Sequence, residues 1–481
     1  MADNEREPQT DTVPLCVDLD GTLVNTDTLV ESALLLLKKN PAYLLLMLYW
    51  LCKGKAHLKE QLALRTSLDA ATLPYNAPLL EWLRGEREKG RELVLVTAAN
   101  VRIADAIAGH LQIFSATIAS TAGTNRSAAA KRDALLERYG EGGFDYAANS
   151  SDDIVVWQKS RRAIPVNTPP RVRSLIPPDT DIEREFPSAN HAYRALLKAM
   201  RPHQWVKNIL VFVSLFLAHQ YTDTALLAKT VLAFASFCIC SSSVYLINDL
   251  VDLPVDRRNP DKNSRPFASG TASLLHGLLA IPMLLSVAFL LAATVGVMFF
   301  QILLAYFFVT LSYSFYLKQH VLFDVLTLAG LYTIRIIAGA SVADEIPSVW
   351  LVSFSMFVFT SLAMAKRYAE LRALQDTSGS WIGGRGYHVN DIAIISQLGT
   401  ASGFISALVL ALYIDSSVVD EIYSNPWALW LLCPLLMYWV GRIWLVANRG
   451  ELRHDPVIYA TRDPVSYIAM LAGAAILWLA L

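Results

Sequence analysis

Between Asn248 and Gly270 the chain reads N-D-L-V-D-L-P-V-D-R-R-N-P-D-K-N-S-R-P-F-A-S-G, directly after a long apolar run. Asn248, Asp252 and Asp256 lie four apart, so on a helix they form one polar column. Asp249, Asp252, Asp256 and Asp261 alternate with Arg257, Arg258, Lys262 and Arg265 at the mouth of what reads as a membrane helix. Carboxylates at that depth are costly unless they hold a metal or pair with cations. A divalent ion bridging such carboxylates to a phosphorylated substrate accounts for both signs of charge.

Outward from this segment the composition divides. The 481 residues are 54% hydrophobic and 17% charged, but 1–190 look like an ordinary soluble protein while 205–481 are apolar runs between short charged loops. A net charge of −1 without a large basic surface argues against a nucleic-acid binder. The five cysteines are scattered and form neither a disulfide framework nor a zinc pattern. The polar, acidic start reads as having no signal peptide.

The spacing predicts a disordered stretch over 1–12, an α/β domain over 13–163 and a Pro-rich extended linker over 164–190. A membrane section then runs over 191–481. Nine spans are expected there, at 203–219, 229–249, 276–295, 297–315, 322–342, 348–365, 392–413, 426–446 and 464–481. One set of loops carries Arg257, Arg258, Lys262 and Arg265, then Lys318, then Lys366, Arg367, Arg372 and Arg385, then Arg449, Arg453 and Arg462. The opposite loops carry acids, so the basic loops and the N-terminal domain are expected in the cytoplasm of a multi-pass inner-membrane protein. Residues 42–52 (A-Y-L-L-L-M-L-Y-W-L-C) are strongly apolar but too few to span. They read as a helix of a cap over about 26–85, touching the bilayer surface or the membrane section, with a buried core helix as the alternative.

In the first domain, V-P-L-C-V-D-L-D-G-T-L is a strand ending in Asp18 and Asp20. A second strand ends at Thr97, Lys131 opens a helix, and a third strand leads to Asp153. These four signatures resemble the haloacid dehalogenase superfamily, phosphoserine-phosphatase-like branch, over about 150 residues. The resemblance implies an α/β Rossmann-like fold with a helical cap. It makes Asp18 the nucleophile that forms an aspartyl phosphate, and Asp20 the general acid and base. Thr97 and Lys131 would hold phosphoryl oxygens, and Asp18, Asp20 and Asp153 would belong to a Mg²⁺ site. One departure stands out. Where that family has an acidic residue the chain has Asn149, in Ala148-Asn149-Ser150-Ser151-Asp152-Asp153, which weakens metal affinity unless Asp152 or Asp153 compensates.

The second section, all-α with about nine spans and N-D-x-x-D-x-x-x-D at the end of the second, resembles the UbiA superfamily of intramembrane prenyltransferases. The resemblance implies that Asn248, Asp252 and Asp256 hold Mg²⁺ on a pyrophosphate leaving group. The later aspartate-rich motif of most such enzymes is missing, and Ala365-Lys-Arg-Tyr-Ala-Glu-Leu371 stands in its place. Together with Arg201-Pro-His-Gln-Trp-Val-Lys-Asn208, Tyr313-Ser314 and Ile334-Arg335, this resembles the decaprenyl-phosphate phosphoribosyltransferase branch. That branch moves 5-phosphoribose from phosphoribosyl pyrophosphate to a polyprenyl phosphate. Cations suit its several phosphates better than a second carboxylate cluster does. Arg201, Lys207, Arg265, Arg335, Lys366 and Arg367 are the candidate phosphate clamps. Such a product keeps a ribose 5-phosphate, which the N-terminal domain could hydrolyse in making cell-envelope glycan precursors. An aromatic or quinone prenyltransferase, and a transporter with an inactive soluble regulator, are the competing expectations. The sequence leaves room for a homo-oligomer.

Overall fold

Short continuous apolar runs such as Leu15–Val17 become strands because their side chains can cover both faces of a sheet at once. The computed structural model describes residues 13–187, 192–375, 380–452 and 455–481. The stretch 1–12 expected to be disordered, residues 188–190 of the expected linker and Arg453 lie outside these. The chain groups into two units: Met1–Met200 with Tyr245–Ile281, and Arg201–Val244 with Pro282–Leu481.

In the first unit six strands form one parallel sheet in the order β3-β2-β1-β4-β5-β6. They are β1 (Leu15–Val17), β2 (Leu93–Asn100), β3 (Ala116–Ser120), β4 (Asp145–Ala148), β5 (Arg162–Pro165) and β6 (Asp181–Ile182). Leu15 and Val17 enter one core with Leu93, Leu95 and Ile107, while Cys16 enters the other with Val94, Tyr146 and Trp157. Winding reverses at β1, which pairs with β2 on one side and β4 on the other. In doubly wound sheets that reversal opens a crevice at the carboxyl ends of the strands, where ligands bind.

The segment between β1 and β2 carries α1 (Thr28–Lys39), α2 (Tyr43–Cys52), α3 (Lys55–Arg65) and α4 (Ala77–Glu88). Asp27 starts α1 by accepting from the Leu29 and Val30 amides at 2.9 and 3.0 Å. The helices α1, α2 and α3 share a small core of Leu36, Met47, Trp50 and Leu62. By contrast α4 buries Leu79, Leu80 and Leu83 with the sheet, so the cap is narrower than 26–85. The α2 helix is mostly exposed, which overturns the buried-core alternative for it. Further on, α5 (Val101–Leu111) follows β2, α6 (Ala128–Tyr139) follows β3, and α7 (Ile154–Trp157) follows β4.

The Pro-rich stretch from 164 is not an extended linker as far as Pro187. It completes β5, adds α8 (Pro170–Arg173) and returns as β6, whose Asp181 pairs with Arg162. Ile176 and Phe186 are buried in the two cores. Arg91, already bonded to Asp145, also reaches Glu183 at 2.9 Å. Proline misled the expectation because it is tolerated at the end of a strand such as β5.

From residue 192 the chain is helical: α9 (Ala192–Ala199), α10 (Val213–Leu217), α11 (Thr224–Val251), α12 (Leu253–Arg258), α13 (Leu274–Val295) and α14 (Val297–Phe315), then α15 (Phe323–Val342), α16 (Val349–Gln375), α17 (Ile392–Ile414), α18 (Ser417–Ile422), α19 (Leu432–Asn448), α20 (Pro456–Ala460) and α21 (Pro464–Ala480). Among the described residues seven helices are long and apolar enough to cross a membrane, fewer than the nine expected. The expected span at 203–219 is instead a 3₁₀ segment, Pro202–Phe212, followed by the short α10. Arg201, at φ +54°, and Pro202 set its irregular start. The last expected span is α21, whose 17 residues reach about 25 Å, the short end of what a bilayer core requires.

Within the second unit one core joins Ile336, Phe359, Leu362, Ile395, Ile443 and Trp444, and another joins Phe237, Ala288, Phe299 and Tyr306. Small residues allow the close approaches: a Cβ at Gly339 would run into the Val211 carbonyl, and one at Gly399 into Trp444.

Because Phe186 is core rather than linker, Phe186→Ala should lower unfolding stability by about 3 kcal/mol, read by chemical denaturation of the full chain in detergent. A linker residue would leave the transition unmoved.

Candidate functional sites

The first site lies at the carboxyl edge of the sheet, next to the β1/β4 switch point. Asp18 directly follows β1, Thr97 lies in β2, Lys131 lies on α6 and Asp153 follows β4. All four side chains are buried. Lys131 Nζ donates to Asp18 Oδ1 at 2.5 Å and to Asp153 Oδ1 at 3.5 Å, so it joins three of the four expected residues. Asp153 is further fixed by the Tyr146 hydroxyl at 3.0 Å and the Ser150 hydroxyl at 2.6 Å. Thr97 Oγ1 accepts from the Ala99 amide at 2.9 Å, shaping the end of β2. Asp20 accepts from the Thr28 amide at 2.8 Å, tying it to the start of α1. Asn149 packs directly over Gly21, where φ is +75° and any Cβ would collide with the asparagine side chain.

Burial pushes the Asp18 carboxyl up to about 6 against the pull of Lys131, and burial with nearby Asp27 pushes Asp20 up to about 7. Asp152 is exposed. Lys59 had no signal in the sequence. From α3 of the cap it donates to the Ala98 carbonyl at 2.7 Å and to Asn125 at 2.9 Å, and the Asp20 charge acts on it.

The second site is the aspartate segment. Asn248 ends the apolar part of α11, Asp252 caps α12 and Asp256 lies within it. Backbone bonds of 2.9 Å from Asp252 N to Asn248 O, and from Asp256 N to Asp252 O, keep the expected four-residue rungs despite Pro254. The carboxylates nonetheless meet different cations. Arg265 bridges Asp249 at 3.2 Å and Asp256 at 2.5 Å, while Asp252 accepts from Lys38 of α1 at 3.2 Å. Burial pushes the Asp256 carboxyl up, opposed by Arg265.

The same segment is fastened to the cap. Arg257 forms a two-pronged pair with Glu31 at 2.5 and 3.0 Å, and both side chains are only 4% exposed. Glu31 also accepts from Thr26 at 3.1 Å, and Arg257 holds the Ala268 carbonyl at 3.1 Å. Gly270, at φ +74°, lets the loop close onto the Asn25 backbone, which a Cβ would strike. Asn25 in turn accepts from Asn167, whose amide also reaches the Gly21 carbonyl.

The remaining candidate cations lie in the second unit. Lys207 and Lys366 share Asp455 Oδ2 at 2.9 and 3.3 Å, with the Tyr332 hydroxyl on the same carboxylate. These two cations hold Asp455 well below the usual carboxylate range. Arg335 donates to Asn208 Oδ1 at 2.8 Å, the Tyr306 hydroxyl at 2.9 Å and the Leu331 carbonyl. Arg367 is fully buried between Asp324 and Glu370, with Arg385 and Tyr313 also on Asp324. Arg201 opens the 3₁₀ segment before Lys207. Asp455 and Asp324 were missed by the sequence. Only Asp324, an acid inside an apolar run, carried a local signal. An apolar cavity of about 770 Å³ runs from Trp350 and Leu351, in the first turn of α16, to Val457, two residues past Asp455.

Among the described residues no three Asp, Glu, His or Cys side chains gather as a ready-made metal cage. The donors still suit Mg²⁺, which binds through one or two carboxylates plus waters and substrate phosphates. Asp18 with Asp153, and Asp249 with Asp256, are such oxygen pairs, each already aimed at a cation.

Seven apolar helices, with paired acids and bases buried among them, define an integral membrane protein of polytopic helical type. The chain belongs to the UbiA prenyltransferase family, which it matches over residues 208–463, more than half its length. It is 35% identical to the uncharacterized protein y4nM of Sinorhizobium fredii over 471 residues, 97% of this chain and 91% of that one. It is 33% identical to nodulation protein NoeC of Azorhizobium caulinodans over 60% of this chain and 93% of that one. Decaprenyl-phosphate phosphoribosyltransferase of Mycolicibacterium smegmatis is 37% identical over 193 residues, 38% of this chain and 58% of that enzyme. A UbiA homolog from Archaeoglobus fulgidus bound to GPP and Mg²⁺ overlays 59% of this chain and 99% of its own, at 16% identity and a TM-score of 0.45.

Removing one partner of a buried pair strands the other charge, so Glu31→Ala or Arg257→Ala should each destabilise the chain by about 3–5 kcal/mol. The joint apolar replacement Glu31→Leu with Arg257→Met should recover most of that in the same thermal melts. A double replacement as costly as either single would show that the loss comes from the pair itself and not from a stranded charge.

Proposed function

We propose that the chain transfers 5-phosphoribose from phosphoribosyl pyrophosphate to a polyprenyl phosphate at the inner leaflet of a bacterial cytoplasmic membrane. We also propose that its N-terminal domain then hydrolyses the ribose 5-phosphate as a haloacid-dehalogenase-type phosphatase. The observation that carries the two-step assignment is that Asp252–Gly270 and the Asp18–Thr28 loop fold in one unit, joined through Arg257–Glu31 and Gly270–Asn25. The phosphoribosyltransferase relative supports the donor and acceptor, and the basic loop bias supports the orientation.

In the transfer step Asn248, Asp252 and Asp256, with Asp249 beside them, would hold Mg²⁺ and the ribose-bearing donor. When bound, the metal would neutralise charge on the departing pyrophosphate. Arg265, between Asp249 and Asp256, offers a guanidinium to the same oxygens. Lys207 and Lys366, kept in place by Asp455, serve as phosphate cations, and the cavity ending at Val457 suits an apolar polyprenyl tail. Loss of pyrophosphate from C1 leaves an oxocarbenium-like ribosyl group, which the acceptor phosphate oxygen attacks. Arg335 and Arg367 carry neighbours enough to act as bundle struts as well as electrostatic support.

In the hydrolytic step Asp18 attacks the phosphorus, and Asp20 protonates the leaving ribose oxygen and then takes a proton from water. Lys131 and Thr97 hold phosphoryl oxygens. Asp18, Asp20 and Asp153 are the residues that would hold Mg²⁺ here.

Purified chain in nanodiscs with Mg²⁺, labelled phosphoribosyl pyrophosphate and polyprenyl phosphate should yield lipid-linked ribose without phosphate. Asp18→Asn should stall the product at the 5-phosphate, with hydrolysis down roughly a thousandfold or more. Asp252→Ala should abolish transfer itself. An unchanged product from Asp18→Asn overturns the hydrolytic role. Turnover with a prenyl diphosphate instead of the ribosyl donor returns the chain to the aromatic prenyltransferase alternative.

Lys366→Ala should lower kcat/KM for the ribosyl donor roughly tenfold to a hundredfold. An unchanged value removes it from phosphate binding.

A further inference from the structure

The cap helix α2 has a face that water does not suit. Leu44, Leu45, Leu46, Leu48, Tyr49 and Leu51 are 44–73% exposed, while Met47 and Trp50, one turn apart, enter the small cap core and Tyr43 packs against it. Its ten residues extend about 15 Å, half the thickness of a bilayer core. A soluble domain rarely keeps so continuous an apolar surface uncovered.

Charge indicates what covers it. Residues 38–59 contain Lys38, Lys39, Lys53, Lys55 and Lys59 and no Asp or Glu, so lysines flank the helix at both ends. Lys39 bonds the Arg65 carbonyl, and Lys53 lies 4.6 Å from the Tyr49 ring, both arrangements that leave the ammonium at the rim. Position indicates the same surface. Lys38, at the end of α1, donates to Asp252, which directly follows the apolar helix α11. The end of a spanning helix lies at the membrane–water boundary, and α2 begins five residues after the lysine that touches it.

We propose that α2 is an interfacial anchor that lies in the headgroup–acyl boundary of an anionic leaflet. The leucines and Tyr49 enter the acyl layer, and Lys39, Lys53 and Lys55 meet the phosphates. The anchor depends on the membrane character of the chain and not on the phosphatase assignment. Where that assignment also holds, the anchor sets the crevice beside Lys59 at the surface where a lipid-linked phosphate ester is presented.

The test uses the full chain in nanodiscs of phosphatidylcholine and phosphatidylglycerol, in a Cys52→Ser, Cys433→Ser background. Leu45→Cys or Leu48→Cys is labelled with an environment-sensitive fluorophore, and Glu88→Cys, at the opposite edge of the sheet, is the control. Acyl-chain spin-labelled lipid should quench the α2 probes roughly threefold more than the control, with iodide in the aqueous phase showing the reverse order. Iodide quenching of the α2 probes as strong as at Glu88 overturns the anchor. Protection of those probes from both quenchers also overturns it, since the face would then be covered by protein, a second copy included. The same lipid quenching in Asp18→Asn separates the anchor from any failure of the phosphatase step.

Discussion

The buried acids Asp18, Glu31, Asp256 and Asp324 and the partly buried Asp455 are each held by a cation: Lys131, Arg257, Arg265, Arg367, and Lys207 with Lys366. In a medium poor in water an unmatched carboxylate is expensive, so these matches decide where helices and loops can rest. Under the proposed function, a phosphorylated substrate would meet Lys131 and Arg265 within a network already balanced between acids and bases.

The two halves of the chain differ in how that balance is reached. In the α/β unit it comes from strand ends that the sheet delivers to one edge, with Asp18 and Asp153 arriving from β1 and β4 on either side of the winding reversal. In the helical unit it comes from residues far apart in sequence, such as Lys207 and Asp455, joined by packing alone. Family membership covers the helical part, while similarity to a protein aligned over 97% of the chain extends through the α/β part as well.

Much of this was readable beforehand, for physical reasons. The strand leading to Asp18, the strand holding Thr97 and the four-residue rungs at Asn248, Asp252 and Asp256 are local patterns, and the backbone kept them. Asp252 and Asp256 face different cations because Lys38 arrives from a helix more than two hundred residues away, which no spacing rule can show. The stretch to Pro187 was misjudged because its prolines outweighed two short strands and the apolar pair Ile176 and Phe186. The span at 203–219 was misjudged because hydropathy registers apolar length but not the 3₁₀ winding that Pro202 begins. Asp455 precedes a proline in a loop and nothing local marks it, because its partners Lys207 and Lys366 come from distant parts of the chain.

Glu31 and Arg257 stand 226 positions apart yet close one sealed contact. Neither can drift alone without leaving a bare charge in a dry place, so descent should carry them as a linked pair, exchanged together or kept together. Without the α/β half the Arg257 guanidinium would lose its cover as well as its partner, and an arginine in water needs neither. The constraint on position 257 therefore lasts only as long as the α/β half covers it.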